Sequence, residues 1–544
     1  MKIINLSGIV KFVKNNKWII ISSIFFLAWK FFLVGILWQN RALPPEPDDS
    51  LIYTGFIKSV KDCTYLICEY PFISMKNYVG FLYLPYRLFL GITAKIYDVD
   101  PINMFHYSFY IGYVILVAVL ISFLSTLTKN KRLIGLSLFF LALYNGSGLF
   151  HGFFWVAPAF FAVVVFLGIF SIILNPDIKR FWLWALILTP ILVFIHPSGI
   201  YSFTIYIFFY LIYSFFSHDW QMLIFKKTAL IIAIAIVSYL PLFFYLNFYS
   251  QGNPWGVKNV VGRTLSESKE NVFKTSNDSQ EKVIVAPPIK PDVKTINLFP
   301  GYRDVYESYF LWIFPHWLGV LIFIFVLLVL VYFKKTMLIS IYFSSLIFVL
   351  LSTLNQYGYR SVAYLWPITY ILYAFGVWYA FKLLPVVKNK FLCLVLKIAF
   401  SAATLGFILL NIIYSYAWNQ YSNQRDNIII SDEAYLFLEK EVKNDQSVFY
   451  GDKFLHSFSL NTGMINYYNS KNKDGADYLI YQTLISNPNC QSGNLLFESF
   501  LNNSSKILKI NRKPSIQAER KKNDTEGFYL YKNIDNIEIY KKID

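Results

Sequence analysis

Long apolar runs follow one another along most of this chain, and few folds can accommodate them. A helix that crosses the hydrocarbon core of a bilayer needs about 20 apolar residues, and about eleven runs here approach that length. Hydrophobic residues make up 56% of the chain and charged residues only 15%, which excludes an ordinary soluble protein. The predicted spans are 18–38, 107–127, 133–150, 153–174, 181–195, 199–217, 228–248, 311–333, 336–354, 361–381 and 398–417.

The positions of the basic residues predict how these spans are oriented. Several lysines precede the first span and no small-residue cleavage site follows it, so we expect a retained first helix and a cytoplasmic N-terminus. Every loop that then falls inside carries Lys or Arg, as at Lys334 and Lys335. An odd number of spans places the residues after 417 outside. The net charge of +17 is therefore mostly an orientation signal, and no nucleic-acid partner is expected.

Three polar segments face outward in this topology, and they predict two domains. A transmembrane domain covers 1–417, with outer loops at 39–106, which includes interfacial helices, and at 249–310. An extracytoplasmic α/β domain covers 418–544. In that domain Ser431 is suited to cap a helix through AYLFLEKEVK. Strand-like runs follow at 447–452, 477–482, 527–532 and 537–542, the last two spaced as a hairpin.

Two adjacent carboxylates, Asp48 and Asp49, come soon after the first span in PPEPDDSLIYTGFIKSV. Like charges and partial desolvation at the membrane edge favour proton uptake by one of them, as a general base requires. Carboxylate oxygens are equally suited to hold a divalent cation. The structural alternative is a helix cap, because Asp before an apolar run is common there. The residues alone leave these three interpretations open.

The residues around this pair resemble a known superfamily. The acidic pair, a short helix with Tyr53, and the pattern Y-x-P-Y-x-x-x-L-G-I-x-A-K-I-Y-D-V-D-P at 83–101 resemble the GT-C superfamily of polyprenyl-phosphate-sugar-dependent glycosyltransferases. The resemblance implies an α-helical polytopic membrane protein of about 11 transmembrane helices, with a small C-terminal α/β extracytoplasmic domain. It also implies that an acidic residue of the first outer loop is the catalytic base. That role carries over to Asp48 or Asp49, and we expect Asp48.

Two other segments resemble members of this group. Arg360, in YGYRSVAYLWP, stands at the outer start of the tenth predicted span, where a planar cation is able to grip a lipid-linked phosphate. A snorkelling Arg at a helix end is the structural alternative. His196, in FIHPSGIY, resembles a His-Pro turn of related membrane transferases and is able to donate to a phosphate or sugar oxygen. Its alternative is a helix-end residue satisfied by backbone.

The remaining candidates lie in the outer loops. Arg303, in NLFPGYRDVYESYF, is a second phosphate candidate, although an interfacial aromatic belt explains the same segment. Glu69 is placed to assist Asp48 across the first loop. Tyr53 is expected to contribute to substrate binding on the same resemblance. Cys63 and Cys68 would be bridged if the outside is oxidising.

Metal binding and buried charge are weakly marked in the sequence. No nucleotide-binding loop occurs, and the one cofactor to consider is a divalent cation at the acidic pair. Four histidines near outer span ends lack the spacing of a zinc site: His106, His151, His196 and His316. Lys30 lies within the first span, and we expect its side chain to snorkel to the membrane surface, with contact to an anionic lipid as the alternative.

The expected function is a multi-pass membrane glycosyltransferase. It would take a sugar from a polyprenyl-phosphate-linked donor in the lipid bilayer and place it on a glycan, lipid or protein acceptor outside. A surface-polysaccharide polymerase or ligase, of O-antigen or capsule, is the alternative that the 249–310 segment suits. A lipid-linked glycan transporter is disfavoured, because neither paired repeats nor several intramembrane charges are evident. Abundant Lys, Asn, Ile, Phe and Tyr indicate an AT-rich genome. If the source is a bacterium, the outer face of its inner membrane is periplasmic.

Overall fold

The apolar runs form helices in the computed structural model of the chain. The structure describes residues 6–39, 47–62, 83–144, 156–217, 222–244, 317–352, 361–429, 432–441, 447–450, 465–467, 476–482, 525, 527–534 and 537–543. The helices are α1 (Leu6–Leu37), α2 (Pro47–Asp62), α3 (Leu84–Ile96), α4 (Pro101–Leu127), α5 (Lys131–Leu143), α6 (Pro158–Leu174), α7 (Phe181–Ile195), α8 (Pro197–Ser217), α9 (Met222–Phe244), α10 (Trp317–Tyr332), α11 (Thr336–Ser352), α12 (Val362–Leu383), α13 (Lys390–Ile429) and α14 (Asp432–Glu441).

The helices account for all of the predicted spans. Each predicted apolar run overlaps one helix: the first run overlaps α1, and the others overlap α4 to α13 in order. Within the described ranges, six of these helices are long and apolar enough to cross a membrane, namely α1, α4, α8, α9, α12 and α13. Helices α6, α7, α10 and α11 are shorter but also apolar. The chain is a multi-pass α-helical membrane protein, and the predicted fold class is confirmed.

Local sequence signals fix several helix ends. Asp100 caps α4 by accepting hydrogen bonds from the backbone N–H groups of Ile102 and Asn103, at 2.8 and 3.2 Å, and Pro101 takes the first helical position. Asn130 caps α5 in the same way. Helix α13 is longer than predicted and continues past position 417, because the polar sequence after the apolar run is still compatible with a helix.

Lys30 corrects one prediction. It does not snorkel, because its side chain is fully buried in the bundle and its Nζ donates a hydrogen bond to the backbone carbonyl of Tyr144 at the end of α5. The Ser415 hydroxyl on α13 donates to the neighbouring carbonyl of Leu143 at 3.2 Å. Helix α5 has 13 residues, and at about 1.5 Å per residue it is shorter than the roughly 30 Å hydrocarbon core. Lys30 and Ser415 therefore each donate to one backbone carbonyl at the end of this short helix.

The described residues after α13 form a helix and a mixed five-stranded sheet. Its strands are β1 (Ser447–Tyr450), β2 (Ile465–Tyr467), β3 (Tyr478–Gln482), β4 (Phe528–Ile534) and β5 (Ile537–Lys542), in the order β2-β1-β3-β5-β4. Strand β1 is parallel to β2 and β3, while β5 is antiparallel to β3 and β4. The predicted hairpin and α14 are confirmed, although the proposed cap Ser431 lies outside the described residues. Strand β2 was not predicted, because three residues carry no periodic signal.

Candidate functional site

Helix α2 carries the acidic pair in its first turn. Pro47 opens the helix, where its missing N–H leaves no hydrogen bond unmade, and Asp48 and Asp49 follow directly. The positive end of the helix dipole favours carboxylates at these positions. A purely helix-stabilising role of the pair therefore stays open. The two side chains lie outside the described part of the structure. Tyr53 follows Asp49 by four residues, so the two positions share one side of α2.

Helix α3 lies within the predicted first outer loop, where a helix was expected, and packs against α2, α4 and α7. Its buried residues recur at the spacing of an amphipathic helix: Tyr86, Arg87, Leu90, Gly91 and Ala94. A Cβ atom added at Gly91 would lie 2.4 Å from the Cβ of Val60 on α2. Glycine therefore permits the close approach that fixes α3 against the helix of the acidic pair.

Tyr83, directly before α3, is the centre of an aromatic cluster. Its φ of 63° places a bulky residue in the left-handed region, where such residues are rare. Its ring centroid lies 5.7 Å from that of Tyr53, 5.9 Å from that of Phe56 and 5.9 Å from that of His196. These contacts hold a backbone conformation that is locally unfavourable. Two predicted site residues, Tyr53 and His196, therefore contact the same ring.

Arg87 is a buried cation that the sequence analysis did not single out as a site residue. Its side chain is 2% exposed, its Nη2 donates to the Ser59 hydroxyl at 3.3 Å, and its guanidinium lies 4.6 Å from the Phe56 ring centroid. A desolvated cation over an aromatic face is stabilised by the ring quadrupole. The available signal was its spacing, because Arg87 falls on the same helical face as Leu90 and Ala94.

An ion pair ties the end of α2 to the turn between α3 and α4. The Lys61 ammonium lies 2.9 Å from the Asp98 carboxylate and donates to the Val99 carbonyl at 3.1 Å. The hydrogen bond between the two side chains lowers the pKa of Asp98 and raises that of Lys61. The Asp98 side chain is 93% exposed, so the pair contributes little stability. Its geometric effect is to hold α2 in register with α3.

His196 occupies the sharp junction between α7 and α8. Its backbone is extended, and Pro197 starts α8 directly after it. The imidazole is 4% exposed, and its Nδ1 lies 2.6 Å from the Ser198 hydroxyl and 3.2 Å from the Ser198 backbone nitrogen, which donates to it. The Ser198 hydroxyl lies 3.0 Å from the Tyr364 hydroxyl on α12. Hydrogen bonds thus join the α7–α8 junction to the first turns of α12.

The close packing of this junction depends on Gly199. A Cβ atom added there would lie 2.1 Å from the Leu192 carbonyl oxygen on α7. At the neighbouring end of α12, the hydroxyls of Ser361 and Ser352 are 2.6 Å apart, which joins α12 to the end of α11. In the sequence, the phosphate candidate Arg360 directly precedes Ser361.

The structure therefore brings some predicted site residues together and leaves others untested. Contacts run from Tyr53 on α2 through Tyr83 to His196, and from there through Ser198 to Tyr364. Helix α2, which carries Tyr53, also carries the acidic pair. The other candidates lie outside the described residues: Arg360, Arg303, Glu69, Cys63 and Cys68.

Metal ligation finds no support among the residues that the structure describes. No group of three or more His, Cys, Asp or Glu side chains gathers there. His106 stacks on Trp38, with ring centroids 4.3 Å apart, and its Nε2 lies 3.2 Å from the Tyr110 hydroxyl. His151 and His316 fall outside the described ranges.

Two structures of one archaeal protein have a similar fold. The oligosaccharyltransferase AglB from Archaeoglobus fulgidus, in complex with an inhibitory peptide and a dolichol-phosphate, aligns with a TM-score of 0.51 and 12% identity over 85% of this chain and 69% of its own. The Archaeoglobus fulgidus oligosaccharyltransferase in complex with Zn and sulfate aligns with a TM-score of 0.52 and 11% identity, over 84% of this chain and 68% of its own. The chain therefore shares its fold with this archaeal oligosaccharyltransferase.

A third solved structure, ArnT from Cupriavidus metallidurans bound to undecaprenyl phosphate, aligns with a TM-score of 0.48 and 11% identity over 95% of this chain and 97% of its own. No protein-family model matches the sequence, and no curated protein matches it significantly. The similarity to AglB extends to the fold, and the residues that would act in this chain have to be argued from their own geometry.

Proposed function

We propose that this chain is a membrane glycosyltransferase that moves a sugar from a polyprenyl-phosphate donor to an acceptor on the outer face of the cytoplasmic membrane, which in a bacterium is the periplasmic face. One observation carries the proposal. A continuous set of contacts joins the helix of the acidic pair, through Tyr83, to His196 and then to Tyr364 on α12, the helix that begins just after Arg360. AglB, which shares the fold, is an oligosaccharyltransferase and has been captured with a dolichol-phosphate.

In the proposed reaction, Asp48 or Asp49 takes the proton of an acceptor hydroxyl. The acceptor oxygen attacks the anomeric carbon as the bond from that carbon to the phosphate oxygen breaks, with inversion. The bonding electrons leave on the phosphate, and the guanidinium of Arg360, with His196 and Arg303, would stabilise that charge. Glu69 would assist the catalytic base, and Tyr53 would contribute to substrate binding beside α2.

A lipid-linked donor suits a helical membrane fold. The polyprenyl tail remains in the bilayer while the sugar meets a glycan, lipid or protein acceptor in water. A divalent cation at the acidic pair would fit the hard oxygen chemistry of two carboxylates. Dialysis against EDTA followed by added Mn²⁺ or Mg²⁺ tests whether a cation is needed, because a metal-dependent enzyme loses activity to EDTA and regains it with the cation.

The test of the function is transfer from a panel of polyprenyl-phosphate sugars, each labelled in the sugar, by membranes that contain the protein. We expect one donor to add one sugar residue to an acceptor, and membranes without the protein to add none. A ladder of products would instead identify a polymerase. Movement of a labelled lipid-linked glycan across sealed vesicles without any transfer would identify a transporter and overturn the proposal.

A further inference from the structure

The hydrogen bonds at the α7–α8 junction determine where the protons of His196 lie. The Ser198 backbone N–H donates to Nδ1 at 3.2 Å. A backbone N–H has no acceptor function, so Nδ1 accepts and carries no proton. The proton of the imidazole is therefore on Nε2, and the side chain presents Nε2–H as a donor.

The same reasoning sets the direction of the next two hydrogen bonds. The Ser198 hydroxyl is 2.6 Å from Nδ1, and since Nδ1 has no hydrogen, the hydroxyl donates. A serine hydroxyl has one hydrogen, so Ser198 accepts at its contact with Tyr364. The Tyr364 hydroxyl, 3.0 Å away, is therefore the donor. The backbone N–H and the hydroxyl of Ser198 thus donate to His196, and the Tyr364 hydroxyl donates to Ser198.

The surroundings keep this arrangement in place. Tyr364 is 1% exposed and lies within the first turn of α12, and Gly199 lets α8 start against the Leu192 carbonyl. The ring of Tyr83, held in the left-handed region, packs on the imidazole from the side of α3. Three helices therefore fix the ring that carries Nε2.

We propose that Ser198 and Tyr364 are positioning residues that hold His196 as an Nε2–H donor, and that this N–H binds an oxygen of the donor lipid's phosphate. The inference rests on the proposed function and deepens it. No proton is transferred in this step. The hydrogen bond becomes stronger as negative charge grows on the departing phosphate, so its main effect is on kcat rather than on KM.

Amide substitutions of His196 distinguish its two nitrogens. In His196→Gln the side-chain amide reaches the place of Nε2, whereas in His196→Asn it reaches only the place of Nδ1. We expect His196→Gln to keep kcat within about fivefold of the wild type and His196→Asn to lower kcat by about 30-fold, the loss of one hydrogen bond to a charged group. Equal activities, or a more active Asn variant, would overturn the assignment.

Tyr364→Phe tests the positioning role, and Tyr370→Phe is its matched control. Tyr370 lies on the same helix and donates to the Asn411 side chain at 2.6 Å, outside this set of contacts. Removing one hydrogen bond corresponds to about fivefold, so we expect Tyr364→Phe to lower kcat by that factor with KM unchanged, and Tyr370→Phe to leave kcat unchanged. If Tyr364 has a purely structural role, Tyr364→Phe will lower Tm and leave kcat unchanged, and this result would overturn the inference.

The tautomer is measured independently of any transfer. Wild-type protein labelled with ¹⁵N-histidine has six histidines, and the signals that are lost in His196→Gln identify His196. We expect an unprotonated Nδ1 and a protonated Nε2, and a perturbed Nδ1 signal in Tyr364→Phe. A protonated Nδ1 would refute the inference even if sugar transfer is found. Conversely, absence of transfer with the expected tautomer would refute the proposed function and the phosphate contact while leaving the positioning geometry intact.

Discussion

The His196 junction and the end of α5 are both buried polar centres, but they are built from different partners. At the end of α5, Lys30 and Ser415 donate to backbone carbonyls. At the His196 junction, side chains from α8 and α12 bond to one another in a directed series beside a strained aromatic residue. Polarity in the bundle therefore serves two purposes. One centre completes a short helix, and the other, in our proposal, orients a side chain for chemistry.

The broadest effect, on both stability and sugar transfer, should come from breaking the His196 junction with Gly199→Ala. The added Cβ would meet a backbone oxygen, so α7 and α8 have to move apart. We expect the free energy of unfolding to fall by about 1–3 kcal/mol. The rate of sugar transfer should also fall, because His196 is no longer held in its orientation. Thermal unfolding in detergent and transfer rates measure both effects.

Gly406→Ala on α13 is the matched control, because nothing lies within 4 Å of the Cβ atom it adds. Alanine favours a helix by up to about 1 kcal/mol over glycine, so this variant should be equally or more stable. Equal behaviour of the two variants would contradict the close approach at Gly199.

Substitutions of Lys30 should affect stability but not chemistry. Lys30→Ala leaves a cavity and removes the hydrogen bond to the Tyr144 carbonyl, and we expect it to lower the free energy of unfolding by about 2–5 kcal/mol. Lys30→Met fills the same volume and buries no charge, so it should fold and transfer sugar like the wild type. A Lys30→Met variant with normal Tm and lost transfer would place Lys30 in the active site and remove the distinction between the two centres.

The smallest effect belongs to the exposed pair of Lys61 and Asp98. Because the folded-state pKa of Asp98 is lowered, its contribution is present above the ordinary value of 3.8 and is lost as the pH falls through the lowered pKa. The pKa of Lys61 is raised, so its contribution is present below 10.5 and is lost as the pH rises through the raised value. The pair therefore stabilises across the neutral range.

Asp98→Asn tests this pair with little change in the backbone, since Asn also tolerates the left-handed conformation at this position, where φ is 49°. We expect a small fall in Tm at neutral pH that disappears in strong acid and in about 1 M salt. A difference from the wild type that persists in acid would mean that the carboxylate acts in some other way.

Much of the fold follows from local sequence, whereas the directed contacts at the site do not. Apolar runs predict helices because each satisfies its own backbone hydrogen bonds in lipid. The partnership of Ser198 with Tyr364 joins residues 166 positions apart, and no local pattern reports it. The left-handed Tyr83 and the buried Lys30 were likewise missed, because ring packing and a neighbouring helix end determine them. His196 and Tyr53 were chosen as candidates through resemblance to a superfamily, and their roles stay predictions.

The measurement that tests the central claim most directly is kcat for sugar transfer by Asp48→Asn and Asp49→Asn at matched abundance. Asp62→Asn, at the opposite end of α2, is the control. Loss of a general base lowers the rate by about 10²–10⁴-fold, and we predict such a loss for one of the pair, with Asp62→Asn close to the wild type. Full transfer by both variants and by the double variant would contradict the account and leave the acidic pair as a helix-stabilising feature.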